Sequence, residues 1–239
     1  MDVLRILARN PFQYKISELE KELNLGRTSI SRILLTLEKN NLVIRNPETK
    51  KYMIGPFAYH LGSIYLHNAN YKNRVLEILN ELSNRLKVSS GLARRDEDKI
   101  IALFSVENYK PLSINYEPGT FFPMNRGCYG KCLMAYHDRN RVLELLRKQT
   151  FKKICDNTLT DHNEIIAEYE QIRRQGYVIS DDEVFPLAVG VGIPVFSNDG
   201  EVKHCAAVSF LKDKNYRAKI EECKTVLFEY SKELDNLIP

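Results

Sequence analysis

Residues 17–54 read SELEKELNLGRTSISRILLTLEKNNLVIRNPETKKYMI, and their spacing decides the fold of the first part of the chain. Arg27 to Lys39 places apolar residues at Ile30, Ile33, Leu34 and Leu37, the i, i+3, i+4, i+7 stripe of an amphipathic helix. At about 100° per residue the opposite face carries Thr28, Ser31, Arg32, Leu35 and Lys39. Glu38 stands only at its margin, so the centre of that face offers hydroxyl and cationic donors and nothing that repels phosphate. The preceding helix is expected to start at Ser17, where Ser17 and Glu20 spell an S-x-x-E capping box and Leu19 and Leu23 point inward. Asn24-Leu25-Gly26 reads as the turn, with Gly26 expected in a conformation closed to other residues. Asn40-Asn41 stops the second helix, and Leu42 to Arg45 reads as a strand. Asn46 to Thr49 turns the chain, and Lys50 to Ile54 returns. Helix, turn, helix and hairpin in that order describe a winged helix-turn-helix, whose second helix would enter a DNA major groove while the hairpin lies along the backbone. The competing reading is an ordinary small helical domain with a polar outer face. Capping, turn, face chemistry and the basic hairpin agree against it.

The whole chain has 239 residues, enough for two domains, and its 44% hydrophobic and 28% charged content belongs to a globular protein. Residues 1–60 hold ten Lys/Arg against six Asp/Glu, and the remainder carries 25 of each sign. The net charge of +4 therefore sits on the segment with the helix-turn-helix pattern, as expected of a phosphate-binding head on a neutral body. No apolar run approaches the roughly 20 residues that span a bilayer, and MDVLRILARNPF is too quickly interrupted for a signal peptide. Five cysteines (128, 132, 155, 205, 223), none in C-x-x-C spacing, read as free thiols in a reducing cytoplasm.

Asp2 to Ala8 is a first short helix behind the two already described, completing a DNA-binding domain over 1–56. Phe57 to Asn68 has helical spacing and reads as a connector occupying 57–71. Tyr71 to Leu86 is a stronger helix that opens a second domain, 72–239. From Ser89 the pattern changes. Strands are expected around Gly91 to Ala93, over Lys99 to Val106, Leu112 to Tyr116, Tyr177 to Ser180, Ala188 to Phe196 and Val202 to Leu211. The last two are joined by the hairpin signal Ser197-Asn198-Asp199-Gly200. Helices are expected over Gly130 to Tyr136, Arg139 to Arg147 with Asp138 as cap, Asp161 to Gln175 ending at Gly176, and Arg217 to Leu237. This irregular alternation makes the second domain α+β.

With these segments in order, the chain resembles the IclR family of bacterial transcription regulators over nearly its full length. The resemblance rests on GRTSISRILLTLEKNNLV, KKYMIGPFAYHLG, PGTFFPMNRGCYGKCLMAY, IRRQGYVISDDEV and GVGIPVFSNDGEVKHCAAVSF. It implies a winged helix-turn-helix joined by a connector helix to a C-terminal α+β effector-binding domain of GAF/PAS-like kind. It also implies homodimers or tetramers that bind double-stranded operator DNA under control of a small organic acid, with repression the expected sign and activation left open. The family's reading helix matches Arg27, Thr28, Ser29, Ser31 and Arg32, and Arg45, Lys50 and Lys51 match backbone contacts on the wing. Its effector pocket matches Asn125, Arg126, Gly127, Cys128 and Tyr129 at a helix start, an anion site suited to a carboxylate. Further walls are expected from Glu183 in the acidic Asp181-Asp182-Glu183 segment and from Ser209. Asn125 and Arg126 stand where small or hydroxylated residues and a His are common in the family, Cys128-Tyr129 replaces a smaller pair, and Leu211 stands where a second Ser is common. A bulkier pocket of altered polarity follows.

Other signals are weaker. GCYGKC lacks the glycine and hydroxyl that a Walker phosphate loop needs, since position 125 is Asn and position 132 is Cys. Cys128 and Cys132, four apart on a helix, leave open a thiol- or metal-responsive regulator, although free Cys is more often simply buried. A second domain that serves only assembly is the other alternative. Nothing places a base or an oxyanion hole beside a Cys, so no enzyme, cofactor, metal or membrane partner is expected.

Overall fold

The stripe of Ile30, Ile33, Leu34 and Leu37 does form a helix, α3 (Arg27–Lys39), which fully buries Ile30 and Leu34, each worth about 1.5–3 kcal/mol. In the computed structural model residues 2–9, 11–67, 71–108 and 118–237 are described, Leu66 and His67 by backbone alone. α3 packs on α1 (Asp2–Leu7) and α2 (Ile16–Leu23) around a core of Val3, Ile6, Leu7, Leu19, Ile30 and Leu34. Two local expectations are corrected. The cap of α2 is Lys15, whose N–H donates to the Glu18 carboxylate at 2.6 Å, and not Ser17 with Glu20. The helix starts earlier because Ile16 packs against the core beside Leu19 and Leu23, leaving Ser17 exposed on the first turn. In the turn the left-handed residue is Asn24 (φ 50°), while Gly26 is extended (φ −64°) and caps α3. Asn takes that conformation readily enough to end α2, so the glycine is freed for the next helix.

A short ribbon follows, β1 (Val43–Arg45) antiparallel to β2 (Tyr52–Ile54), with Arg45 opposite Tyr52. Asn46 Oδ1 accepts the N–H groups of Glu48 and Thr49, both at 2.9 Å, and fixes the turn. Tyr14 exchanges two backbone hydrogen bonds with Tyr52, tying the ribbon to the segment before α2. The connector expected over residues 57–71 overlaps α4 (Pro56–His67), which begins one residue earlier. The chain divides into two compact units, Met1–Asn70 and Tyr71–Pro239.

Among the described residues the second unit is built on a six-stranded sheet, antiparallel throughout, in the order β5-β4-β3-β8-β7-β6. Its strands are β3 (Ser89–Asp96), β4 (Lys99–Val106), β5 (Phe121–Phe122), β6 (Val178–Asp181), β7 (Ala188–Phe196) and β8 (Val202–Leu211). One face is covered by α5 (Lys72–Leu86) and α9 (Tyr216–Leu237), which bury Val75, Ile78, Leu79, Leu82 and Leu86 and, from the other helix, Ile220, Cys223, Val226 and Leu227. The other face receives α6 (Cys128–Ala135), with α8 (His162–Gln175) packed behind it. α7 (Arg139–Arg147) starts at Asp138, whose carboxylate accepts the Arg141 N–H, and Asp161 caps α8 in the same way. The strand expected over Leu112 to Tyr116 lies outside the described residues. The two-residue β5 had no pattern long enough to announce it.

α6 is buried on all sides, which its sequence alone would not suggest for a segment containing a lysine. It can lie so close because a Cβ on Gly130 would stand 1.9 Å from the Pro123 carbonyl oxygen. Gly130→Ala should therefore push α6 off its loop and cost at least about 1–3 kcal/mol, read as a lower urea midpoint. An unchanged midpoint would show that the helix slides freely. At the β3–β4 turn, Asp98 takes Arg141 Nε at 2.9 Å and Nη2 at 2.5 Å, with His137 Nε2 at 3.3 Å. The Arg141 guanidinium holds the Asp98 carboxyl down to about 2, with burial opposing and His137 assisting. A depressed carboxyl stabilises above its unfolded pKa and loses that contribution as pH falls toward its folded one. Asp98→Asn is expected to cost about 1 kcal/mol near neutrality, allowing for solvent screening of a partly exposed pair. The gap from wild type should close as pH drops from about 4 to about 2. A gap that persists at the acid end would mean the pair is not its source.

Candidate functional site

Two surfaces gather the residues singled out by sequence. On the first unit, Arg27, Thr28, Ser29 and Arg32 are exposed along one side of α3, and Ser31 is half-buried among them. The first turn of α3 holds no acid and its cap has no side chain, so the positive end of the helix dipole is left open. On the ribbon, Arg45 and Lys50 are exposed and Lys51 is half-buried, with the Arg45 guanidinium stacked 5.5 Å from the Tyr52 ring centroid. Among the described residues the first unit forms one side-chain ion pair, Arg5 with Asp2. Its five candidate bases are therefore not engaged by acids. Leu35, 54% exposed, adds an apolar contact to the same side of α3.

On the second unit, a pocket enclosing about 720 Å³ of atom-free space, part of it open to solvent, lies between the sheet and the start of α6. Its floor follows from strand register. Ser180 on β6, Gly190 on β7, Ser209 on β8 and Ser89 on β3 stand opposite one another in a single row across four strands. Two residues along, Val178, Gly192, Ala207, Gly91 and Ser105 form the next row of the same face. Glycine and alanine keep this floor low, and α6 descends onto it. A Cβ on Gly190 would meet Cys128 Sγ at 2.7 Å, and one on Gly91 would meet the Tyr129 hydroxyl at 2.4 Å. Phe122 and Tyr129, with ring centroids 4.8 Å apart, form an apolar wall.

The structure brings together Arg126, Gly127, Cys128, Tyr129 and Ser209 on the pocket surface. Asn125 and Glu183 do not line it. Asn125 is fully buried and spends its amide on the Leu159 carbonyl at 2.5 Å, which pins the loop before α6. Glu183 lies behind the pocket, beneath the start of α6. Its Oε2 accepts the Gly127 N–H at 3.0 Å and the Ser180 hydroxyl at 3.1 Å, and its Oε1 accepts Lys131 Nζ at 2.5 Å. Lys131, 1% exposed, also donates to Glu168 at 2.6 Å and to the Ile179 carbonyl at 2.8 Å, so all three of its protons are placed. Burial alone would lower the lysine's pKa, but the two carboxylates outweigh it and hold the ammonium charged. A second carboxylate on the Gly127 N–H would stand about 4 Å from Glu183, a repulsion of roughly 4 kcal/mol at an effective dielectric of 20. A helix N-terminus offers an anion only about 0.3–1 kcal/mol. The Gly127 N–H at this helix start is thus already taken by the protein. Ser89, Ser105, Ser180 and Glu107 also line the pocket and were not anticipated. The alternation of small residues in SSGLA and AVGVG is the signal that could have marked the floor.

The cysteines give a thiol or metal input little to work with. Cys128, Cys132 and Cys205 are buried, and burial pushes the Cys128 and Cys205 thiols far up, away from the reactive thiolate. Burial likewise raises Cys223 to about 12. Among the described residues no three His, Cys, Asp or Glu side chains are arranged to hold a metal ion, and no helix is long and apolar enough to cross a membrane.

Residues 63–236 match the family described as bacterial transcriptional regulator IclR C-terminal. The HTH-type transcriptional regulator KdgR of Escherichia coli is 26% identical over 195 residues, 82% of this chain and 74% of its own length. The fold is shared with an IclR transcriptional regulator from Alicyclobacillus acidocaldarius (TM-score 0.82, 24% identity, 99% of this chain and 95% of that one). It is also shared with an IclR homologue from Microbacterium hydrocarbonoxydans complexed with 4-hydroxybenzoate (TM-score 0.72, 16% identity, 93% and 91%). A helix-turn-helix unit with an open basic face, followed by an α+β unit matched over its length by that family, has one consistent identity. The chain belongs to the IclR family of bacterial transcriptional regulators, DNA-binding transcription factors with a ligand-responsive C-terminal domain and not enzymes.

Proposed function

We propose that this regulator reads a pseudo-palindromic operator as a homodimer or tetramer in the cytoplasm, acts as a repressor, and changes its operator affinity when a small organic acid enters the pocket of its second unit. In this reading residues 1–56 are a winged helix-turn-helix, 57–71 a connector and 72–239 a GAF/PAS-like effector domain. The observation that carries the DNA half is the open basic face, in which Arg27 and Arg32 flank a hydroxyl-bearing first turn with no acid beside them. Arg27 and Arg32 reach base edges or phosphate in the major groove. Thr28 and Ser29 hold phosphate at the helix start, Ser31 belongs to the same DNA-facing side, and Arg45, Lys50 and Lys51 grip the backbone from the wing. The effector half rests on the pocket, where Arg126 is a cation suited to a carboxylate and Ser89, Ser105 and Ser209 offer hydroxyl partners. The Microbacterium homologue's 4-hydroxybenzoate is an acid of the class we assign here. Binding rearranges the pocket walls and, through the connector, the spacing of two heads on half-sites one helical turn apart, to which affinity is steeply sensitive.

Arg32→Ala should weaken operator binding by about 1–3 kcal/mol and relax sequence preference, whereas Lys50→Ala should weaken all sequences alike and reduce the salt slope by about 1. Fluorescence anisotropy across a salt series separates the two. Equal losses with an unchanged salt slope in both would remove α3 from the reading role. In a thermal-shift screen of small carboxylic acids, a true effector at about 100 times its Kd should stabilise the protein by roughly 2.7 kcal/mol. That corresponds to a Tm rise of about 5–10 °C. The same acid should alter operator affinity, and Arg126→Ala should abolish both responses. If no acid moves Tm or operator affinity, the second unit serves assembly and the effector half of the proposal fails.

A further inference from the structure

The last turn of α6, about 10 Å along the helix from the pocket at its start, borders a second concavity. Met134 of α6, Val142 and Leu143 of α7, and Ile166 and Tyr169 of α8 line a largely apolar cleft of about 280 Å³, part of it open to solvent. Arg139 and Arg173 form its rim. The same two arginines, with Arg174 and Glu170, line an adjoining shallow depression, so cleft and depression are continuous. Charge there is unbalanced. Glu170 pairs with Arg139 at 3.2 Å, while Arg173 and Arg174 form no ion pair among the described residues. Three guanidiniums thus face one carboxylate. Arg173 and Arg174 stand in the last turn of α8, where a cation complements the helix dipole. Arg139 does not, because it opens α7, where the dipole repels a cation. Its position fits an anion held between the two helices. The excess of two positive charges matches a dianion. A phosphate monoester carries nearly that charge at neutrality and offers three oxygens to planar, forked donors. An apolar cavity of about 150 Å³ takes a benzene ring, so the cleft has room for about one ring. We propose that the cleft between α6, α7 and α8, with its arginine rim, is a second ligand site that takes a phosphate monoester on a small apolar or aromatic body. The body lies against Leu143 and Ile166, and the head against Arg139, Arg173 and Arg174. The occupant bears on the end of the same helix whose start borders the effector pocket.

The test uses the full chain and phenyl phosphate as probe, followed by chemical-shift titration beside inorganic phosphate and phenol. Phenyl phosphate is expected to bind saturably and at least about tenfold more tightly than inorganic phosphate, because its ring leaves water. Phenol, which lacks the head, should bind more weakly than either. The largest shifts are expected at residues 139–143 and 166–174. Arg173→Ala should weaken phenyl phosphate and inorganic phosphate alike by at least about tenfold, the loss of a charge-assisted contact. Leu143→Ser should erase the advantage of phenyl phosphate and leave inorganic phosphate as in wild type. Arg173 is exposed and Leu143 half-buried, so both variants are expected to fold, and far-UV circular dichroism checks this. The proposal is overturned by an absence of saturable binding, by phenyl phosphate binding no tighter than phosphate, or by wild-type affinity in Arg173→Ala. Largest shifts at residues 27–32 or 126–129 would overturn it as well, since they would put the probe on the DNA-binding face or in the effector pocket. The readout uses neither operator nor effector, so its failure and that of the proposed function are separate.

Discussion

The ammonium of Lys131 has given up its water and has three protons to place, and the second unit is arranged around where they go. One goes to Glu168 on α8, one to the Ile179 carbonyl on β6, and one to Glu183 in the segment after β6. Such a cluster is weak evidence for stability, since desolvation consumes most of what the charges return. Its value is geometric. With every proton placed, α6 has one position between the sheet and α8, and displacing it would leave a buried charge unpaired. The pocket is the space between that fixed helix start and the sheet, so its shape follows from the placement of one ammonium.

The sheet contributes the complementary constraint. A helix can approach a sheet closely only where the facing side chains are small, and here the facing rows are serine, glycine and alanine. Glycine in a strand forfeits packing and costs entropy, and it persists where another group must come close. Cys128 and Tyr129 are the groups that come close. Their bulk is accommodated by the low floor that Gly190 and Gly91 provide. The hydroxyls of Ser89 and Ser209 are left at the edge of that contact, where a ligand can reach them.

What could be read beforehand follows from how far apart the interacting residues lie in the chain. The stripe of α3, the Asp138 and Asp161 caps, Gly176 at the end of α8 and the β7–β8 hairpin depend on neighbours within about one turn, and all of them were legible. The cap of α2 was also local and was still misplaced. Ser17 and Glu20 fit the sequence signature, but the burial of Ile16 decided where the helix begins. The pocket floor was not legible. The register that sets Ser89 opposite Ser209 joins strands more than a hundred residues apart, and a single sequence does not reveal it. Glu183 was recognised as belonging near the site, but its partners Gly127 and Lys131 lie more than fifty residues away. Its role behind the pocket wall was therefore out of reach.

The two units use charge in opposite ways, and this separates how each responds to solution conditions. The head leaves its bases open, and such charges act through a salt-screened field, so its affinity for DNA must fall as counterions compete for phosphate. The second unit pairs several of its cations. Lys131 is enclosed with its carboxylates, Lys212 bridges Asp181 and Asp182, and Arg141 holds Asp98. Pairs this close lie well inside a Debye length of about 8–10 Å, and the buried one is hardly screened at all. Ionic strength therefore acts on the protein's grip on DNA more than on the buried Lys131 cluster.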